Sequence, residues 1–291
     1  ELGRAEAIHW DVAVFTNLSQ DHLDFHPSME EYFLAKRRLF EAGPRVKVIN
    51  VDDEYGRRLA TDFDDAITYS LRDVEDLEID FTGSRFTFEG VRMATPHPGA
   101  FNVLNALAAI HTARAFGVPH DAIAGALSRA QRVPGRFEPV DEGQEFAVIV
   151  DYSHTPDSLE NVLRAARDLA DEQVVCVFGC GGDRDRATRP IMGRIAADLA
   201  DVQIVTSDNP RSEDPLAIIR EITEAMGDDA VVEPDRRVAI REAIAGARAG
   251  DVVVIAGKGH EQGQELADGR KEPFDDVTVA REVLRGARVD A

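Results

Sequence analysis

Near-continuous apolar segments alternate with amphipathic segments through the second half of the chain, and this pattern constrains the fold more than any other feature. Strands that are apolar at every position are buried on both faces, as in parallel sheets that helices cover on both sides. The sequence therefore predicts an α/β architecture, with a Rossmann-like, doubly wound sheet over residues 138–291. The predicted strands are 146–152, 174–178, 202–206, 230–233 and 252–256, and the predicted helices are 157–170, 189–199, 215–226, 236–248 and 277–285.

Residues 1–137 follow a less regular α/β pattern, with a mixed or parallel sheet and helices, and are predicted to form a separate domain. A helix is expected to begin after Ser28, because Glu31 follows three residues later in the arrangement of a capping box. The segment 133–137 has the Pro-Gly composition of a linker. The other predicted strands are 11–16, 46–51, 66–70, 77–81 and 85–88, and the other predicted helices are 102–116 and 121–129.

The chain is acidic, with a formal net charge of −21 over 291 residues. Nucleic acids and anionic membranes bind basic surfaces, so this charge argues against both as partners. The sequence has no apolar run of about 18 residues, so no membrane-spanning segment is expected. Cys176 and Cys180 are too few for a disulfide framework and favour a reducing, cytoplasmic compartment. A monomer is the expected state.

Ligands of a doubly wound sheet bind beyond the carboxyl ends of the strands, so the loops at this edge predict the site. The loops 151–157, 179–185, 207–214 and 257–262 are rich in Gly, Asp, Arg and His. The loop 179–185 is not a dinucleotide fingerprint, because Arg184 stands where the third glycine is required. Its glycines instead let the backbone approach a ligand, and Arg184 could pair with a carboxylate.

The first domain carries a second group of candidate residues. Asp21 and His22 follow the predicted strand 11–16, where they could ligate Mg²⁺. Taken alone, such a pair more commonly caps a turn. Lys36 lies on the next predicted helix, where an ordinary solvated lysine is the usual interpretation.

Several motifs together resemble the Mur ligases, the ATP-dependent enzymes that build the peptide stem of the bacterial cell-wall precursor. They include T-N-L-S-Q-D-H-L-D at 16–24, Y-F-L-A-K at 32–36, F-N-V-L-N at 101–105, D-Y-S-H-T-P-D at 151–157 and D-N-P-R at 208–211. Ser153 departs from the family pattern, in which alanine is usual. The resemblance covers essentially the whole chain and implies the last part of a central ATPase domain (1–137) followed by a complete C-terminal domain (138–291).

For the central domain, the resemblance implies both metal-binding and substrate-binding residues. Lys36 would be carbamylated and would hold Mg²⁺ together with His22. Carbamylation requires the neutral amine, since an ammonium has no lone pair. Asn102 and Asn105 would bind the adenine of ATP, and Arg4 would contact the UDP-sugar substrate.

For the C-terminal domain, the resemblance implies a nucleotide side and an amino-acid side. Asp151 and His154 would lie at the nucleotide, together with Arg136 of the preceding linker, and Asp151 would accept hydrogen bonds from the ribose hydroxyls. No role follows for Lys258 or His260. The implied amino-acid side consists of Arg184, Asp208, Asn209, Pro210, Arg211, Gly257 and Glu261.

The D-N-P-R motif is typical of family members that add meso-diaminopimelate. Diaminopimelate ends in a carboxylate and an amine, whereas lysine ends in an amine alone. Arg184 and Arg211 can pair with the distal carboxylate, and Gly257 and Glu261 would contact the distal ammonium. Lysine would leave both arginines unpaired. The implied reaction joins meso-diaminopimelate to the D-Glu of UDP-MurNAc-L-Ala-D-Glu through an acyl phosphate formed from ATP.

The sequence departs from the family pattern in the loop that binds the phosphates of ATP. Such an ATPase needs a G-x-x-x-x-G-K-[ST] loop, and Gly257-Lys258-Gly259 fails because Val252 stands at the first position and Gly259 at the last. The phosphate loop and a UDP-binding domain are expected in a preceding segment, and the 291 residues alone are expected to have no ligase activity. The alternatives are an L-lysine-adding ligase, another relative such as folylpolyglutamate synthase or the D-Ala-D-Ala-adding ligase, and a non-catalytic module that binds amino acid or nucleotide.

Overall fold

The computed structural model describes residues 8–20, 25–227 and 230–289, and the chain divides into two compact units, 1–131 and 132–291. Each unit is described by itself. No helix in the described part of the chain is long and apolar enough to cross a membrane.

The first unit contains a parallel three-stranded sheet in the order β1-β2-β3. Helix α1 begins after Ser28, whose hydroxyl accepts the Glu31 backbone N–H at 3.2 Å, which confirms the predicted N-cap. Helix α2, which the sequence did not predict, begins after Asp53, whose carboxylate accepts the Gly56 N–H at 2.8 Å. The elements are β1 (Val12–Phe15), α1 (Met29–Glu41), β2 (Val46–Asn50), α2 (Glu54–Asp62) and β3 (Ile67–Tyr69).

An antiparallel three-stranded sheet follows in the order β4-β5-β6. Its buried side chains Phe86, Phe88 and Met93 join Leu107 and Ile110 of a helix in one hydrophobic core. Two of these strands were predicted, while the short third strand was missed. The elements are β4 (Val74–Asp80), β5 (Gly83–Phe88), β6 (Val91–Thr95), α3 (Ala100–Ala115) and α4 (His120–Leu127).

The second unit has a six-stranded sheet in the order β11-β10-β9-β12-β8-β7. All neighbouring strands are parallel except β7, which pairs antiparallel with β8 at the edge. The predicted α/β fold with a doubly wound sheet is therefore confirmed. The strands are β7 (Glu138–Pro139), β8 (Ala147–Asp151), β9 (Val174–Phe178), β10 (Val202–Val205), β11 (Val231–Val232) and β12 (Val252–Ala256).

Helices cover both faces of this sheet, and a small hairpin lies beyond its last strand. The hairpin consists of β13 (Gln264–Glu265) and β14 (Lys271–Glu272), which pair antiparallel and were not predicted. Buried side chains of α8 and α9, among them Ile240 and Leu284, pack on the sheet. The helices are α5 (Pro156–Leu169), α6 (Thr188–Leu199), α7 (Pro215–Thr223), α8 (Arg236–Gly246) and α9 (Asp276–Val289).

Candidate active site

The strand order of the second unit brings four predicted ligand loops to one edge of the sheet. The Gly182 N–H, after β9, donates to the Asn209 carbonyl, after β10, at 2.9 Å. The Gly257 N–H, after β12, donates to the Asp151 carbonyl at the end of β8, at 3.0 Å. The loops that the sequence proposed as a ligand site are therefore neighbours.

A buried polar cluster lies at the centre of this edge. Lys258 has no solvent exposure, and its Nζ lies 2.8 Å from Asn209 Oδ1, 3.3 Å from Glu261 Oε2 and 3.9 Å from Asp208 Oδ1. Asn209 Nδ2 also donates to Glu261 Oε2 at 2.8 Å. The ammonium therefore compensates the buried carboxylate of Asp208, which would otherwise be costly to hold there, and also pairs with the partly exposed carboxylate of Glu261.

Asp208 is 6% exposed, and burial raises the pKa of its carboxyl group, while the neighbouring Arg236 and Lys258 cations oppose that rise. Gly257 passes close to it with a φ of +122°. A Cβ at that position would lie 2.4 Å from Asp208 Oδ2, so only glycine allows this approach. Arg236 is itself fully buried in a paired contact with Asp276, at 2.7 and 2.8 Å.

Arg211 and Arg184 border the same glycine of the loop after β9. A Cβ on Gly181 would lie 2.9 Å from Arg211 Nη1 and 3.5 Å from Arg184 Cγ. Arg211 is held at two guanidinium nitrogens, since Nε donates to Glu265 Oε2 at 2.9 Å and Nη1 donates to the Gly182 carbonyl at 2.7 Å. Arg184 is exposed. Both arginines that the sequence proposed for the carboxylate therefore lie next to Gly181.

The nucleotide side shows a different arrangement around Asp151. This carboxylate is buried and accepts hydrogen bonds from the Phe137 N–H, at 2.7 Å, and from the Ser153 hydroxyl. Burial raises the pKa of the Asp151 carboxyl group, and these two donors oppose the rise. Through its hydrogen bond with Phe137, Asp151 holds the segment that contains Arg136 at the end of β8. Its predicted contact with a ribose stays a prediction.

Aromatic and cationic groups surround Tyr152, next to Asp151. The Arg136 guanidinium lies 4.6 Å from the centroid of the Tyr152 ring. The rings of His154 and His260 lie 4.6 and 5.3 Å from it. His154 Nδ1 donates to the Tyr152 carbonyl at 2.8 Å, which leaves Nε2 for another partner. The structure therefore groups Arg136 and His154 with Tyr152 and His260, and the predicted contacts of Arg136 and His154 with a nucleotide stay predictions.

The predicted residues of the first unit lie on its helices. Asn105 is exposed on α3, and its Nδ2 donates to Asn102 Oδ1 at 3.3 Å. Lys36 is exposed on α1, with Nζ 5.2 Å from the centroid of the Tyr32 ring. The described residues contain no group of three or more His, Cys, Asp or Glu side chains arranged to hold a metal ion. The remaining predicted residues, Arg4, Asp21 and His22, lie outside the described residues.

The structure adds three residues to the amino-acid side that sequence reasoning missed. Lys258 was given no role, and Gln264 and Glu265 were not considered. Gln264 Nε2 donates to the Asp208 carbonyl at 2.7 Å, and the Glu265 N–H donates to Asn209 Oδ1 at 2.9 Å. The G-K-G-H-E sequence was a usable signal for Lys258, whereas a two-residue strand gives no periodic pattern.

Comparison with known proteins agrees with this geometry. Residues 1–113 match the Mur ligase middle domain, and residues 135–259 match the Mur ligase glutamate ligase domain. The chain is 48% identical over 307 residues to UDP-N-acetylmuramoyl-L-alanyl-D-glutamate–2,6-diaminopimelate ligase of Solibacter usitatus, covering 98% of this chain and 61% of that protein. It is 45% identical to the Streptomyces coelicolor protein of the same name, covering 98% of this chain and 60% of that protein.

Solved structures give the same result. A structure of UDP-N-acetylmuramoyl-L-alanyl-D-glutamate–2,6-diaminopimelate ligase matches with a TM-score of 0.63 and 36% identity, covering 98% of this chain and 62% of that one. The UDP-N-acetylmuramate-alanine ligase MurC of Thermotoga maritima shares the fold, with a TM-score of 0.66 and 20% identity over 97% of this chain and 60% of that one. The chain therefore belongs to the Mur ligase family, and it spans about three fifths of the length of these relatives.

Proposed function

We propose that this chain provides the amino-acid-binding domain and part of the ATP-binding domain of a ligase that adds meso-diaminopimelate to UDP-MurNAc-L-Ala-D-Glu. The observation that carries the proposal is that Arg184 and Arg211 lie at the same sheet edge as the buried Asp208 and Asn209 and the partly exposed Glu261. It combines donors for a carboxylate with acceptors for an ammonium, and the close relatives named above carry this activity in their names.

The substrate choice follows from charge pairing. The distal end of meso-diaminopimelate carries one carboxylate and one ammonium. Arg184 and Arg211 supply the donors for the carboxylate, and Glu261 supplies a carboxylate for the ammonium. L-Lysine has the ammonium alone, so its binding would leave Arg184 and Nη2 of Arg211 without a substrate carboxylate. We therefore place L-lysine second as a substrate.

The proposed reaction forms an amide in two steps. The side-chain carboxylate of D-Glu attacks the γ-phosphorus of ATP, which gives an acyl phosphate and ADP. The neutral amine of diaminopimelate then attacks the acyl carbon, and the tetrahedral intermediate expels phosphate and loses a proton from nitrogen. The residues of the second unit orient the amino acid, because a fixed near-attack geometry lowers the barrier of such a step.

The residues present fit a nucleotide and fit Mg²⁺ only in part. Asn105 is exposed, and an amide can both donate to and accept from an adenine edge. Arg136 and His154, grouped around Tyr152, are proposed to lie along the nucleotide. Lys36, once carbamylated, would offer oxygen ligands to Mg²⁺, which neutralises phosphate charge when bound. We place the reaction in the cytoplasm, in accord with two unpaired, buried cysteines, and keep a monomer as the predicted state.

Ligase kinetics with the complete protein encoded by the gene test the proposal. ATP, Mg²⁺ and UDP-MurNAc-L-Ala-D-Glu are supplied with either meso-diaminopimelate or L-lysine, and the product mass and phosphate release are measured. We expect product with diaminopimelate, and a kcat/KM about 100-fold lower for Arg211→Ala because the distal carboxylate loses its partner. Arg186→Ala, an exposed arginine that pairs with Glu221, is the matched control. Efficient product formation with lysine would refute the substrate assignment, and no product with either would refute the reaction.

A further inference from the structure

The short strand β13 contacts the D-N-P-R loop (208–211), although the two are more than fifty residues apart along the chain. Gln264 Nε2 donates to the Asp208 carbonyl at 2.7 Å and to the Ser207 hydroxyl at 3.2 Å. These bonds engage the loop at its start, where the backbone leaves β10. A strand of two residues thus supplies side-chain contacts that the loop cannot make within itself.

Glu265, the second residue of β13, holds the end of the same loop. Its N–H donates to Asn209 Oδ1 at 2.9 Å, and its carbonyl accepts the Arg211 N–H at 3.1 Å. Its carboxylate accepts Arg211 Nε at 2.9 Å and lies 3.0 Å from Lys271 Nζ. Both the backbone and the side chain of Arg211 are therefore attached to one residue.

The guanidinium of Arg211 is oriented by two acceptors, one on strand β13 and one in the loop after β9. The Glu265 carboxylate accepts a hydrogen bond from Nε, and the Gly182 carbonyl accepts one from Nη1. Within the described part of the chain, Nη2 forms no hydrogen bond and stays available. Arg211 also adopts a φ of +50°, a strained conformation for a residue other than glycine, which persists only where neighbouring contacts impose it.

We propose that Glu265 is a specificity-determining positioning residue, which fixes the guanidinium of Arg211 so that Nη2 meets the distal carboxylate of the amino-acid substrate. The proposal rests on the proposed function and deepens it. A fixed arginine forms its substrate bond without first losing side-chain freedom, so Glu265 strengthens binding of diaminopimelate selectively. Lysine has no distal carboxylate and gains nothing from this orientation.

Steady-state kinetics of the complete protein test the proposal with Glu265→Ala and Glu265→Gln. We expect Glu265→Ala to raise the KM for meso-diaminopimelate at least tenfold, with kcat and the KM for ATP changed less than threefold. The kcat/KM ratio of diaminopimelate over lysine should fall to the same extent. Glu265→Gln should give values between those of the wild type and of Glu265→Ala, because its amide oxygen can still accept a hydrogen bond from Arg211 Nε. The control Glu272→Gln, in the same hairpin and paired with the exposed Arg270, should have no effect.

Two results would overturn the proposal. One is an unchanged or lower KM for diaminopimelate in Glu265→Ala. The other is an equal loss for both amino acids together with a lower melting temperature, which would indicate a structural role alone. NMR of the Arg211 Nε–H resonance, assigned with Arg211→Lys, reports on the contact independently and should shift in Glu265→Ala. A wild-type protein that turns over no diaminopimelate would refute the proposed function, and a shifted Nε–H resonance in the same samples would show that the contact itself still exists.

Discussion

The ammonium of Lys258, which has no solvent exposure and follows β12, lies 2.8 Å from Oδ1 of Asn209 in the loop after β10, two strands away in the sheet. Glu261 completes the contact, since its Oε2 accepts from Asn209 Nδ2 at 2.8 Å and lies 3.3 Å from Lys258 Nζ. Two loops that carry proposed substrate contacts are thus joined through one buried cation. Lys258 therefore positions Asn209 and Glu261 relative to each other.

Replacing this cation should destabilise the protein. We expect Lys258→Met to lower the free energy of unfolding by about 3–5 kcal/mol, because Asp208 and Glu261 would lose their compensating charge. Arg237→Met, which removes an exposed ion pair with Glu282, is the control and should cost about 0–1 kcal/mol. Urea denaturation measures both values. Equal stability of the two variants would contradict the role given to Lys258.

The sequence predicted the sheet of the second unit because a strand that is buried on both faces appears in the sequence as a continuous run of apolar residues. The runs that form β9 and β12 are apolar at every position and buried at every position. The same logic predicted that Arg184, Arg211 and Asp208 would gather, since the ends of parallel strands share an edge.

Elements that depend on distant contacts left no such signal. The hairpin strands β13 and β14 have two residues each, and β13 is held by side-chain contacts to residues 56 and 57 positions away. Lys258 has the polarity of a surface residue, and only the fold shows it to be buried. Asp151 shows the same limit, because its partner Phe137 belongs to the predicted linker, 14 residues earlier in the chain.

Gly257 offers a second test of the site's geometry. We expect Gly257→Ala to destabilise the protein by about 1–3 kcal/mol, because a φ of +122° is strained for alanine. The KM for diaminopimelate should also rise, because the added Cβ would lie 2.4 Å from Asp208 Oδ2 and would displace that carboxylate. Gly246→Ala, where the added Cβ meets no atom within 4 Å, should keep or increase stability. A fully active, stable Gly257→Ala variant would contradict this geometry.

Acid should weaken the second unit through Glu213. The Arg189 guanidinium, which pairs with it at 2.7 Å, lowers the pKa of the Glu213 carboxyl group from 4.5 to about 2. A lowered pKa in the folded state contributes stability above the unfolded pKa, and this contribution is lost as the pH falls from about 4.5 to about 2. Glu213→Gln should therefore lower the free energy of unfolding at pH 7. The variant should also lose less of this free energy than the wild type when the pH falls from 7 to 3. Glu224→Gln, at the exposed end of α7, is the control, and chemical denaturation at both pH values is the measurement.

The 291-residue chain by itself should bind diaminopimelate but form no ADP. Binding needs the sheet edge of the second unit, where Lys258, Asn209 and Glu261 are already joined. ATP cleavage needs a loop that encloses the phosphates, and the sequence has no G-x-x-x-x-G-K-[ST] segment to provide one. Isothermal titration calorimetry with meso-diaminopimelate and an ADP-release assay, each run also on the complete protein, measure the two properties. ADP formation by the 291 residues would show that phosphate binding arises elsewhere in the chain. Binding by the complete protein alone would show that the sheet edge is insufficient for the amino acid.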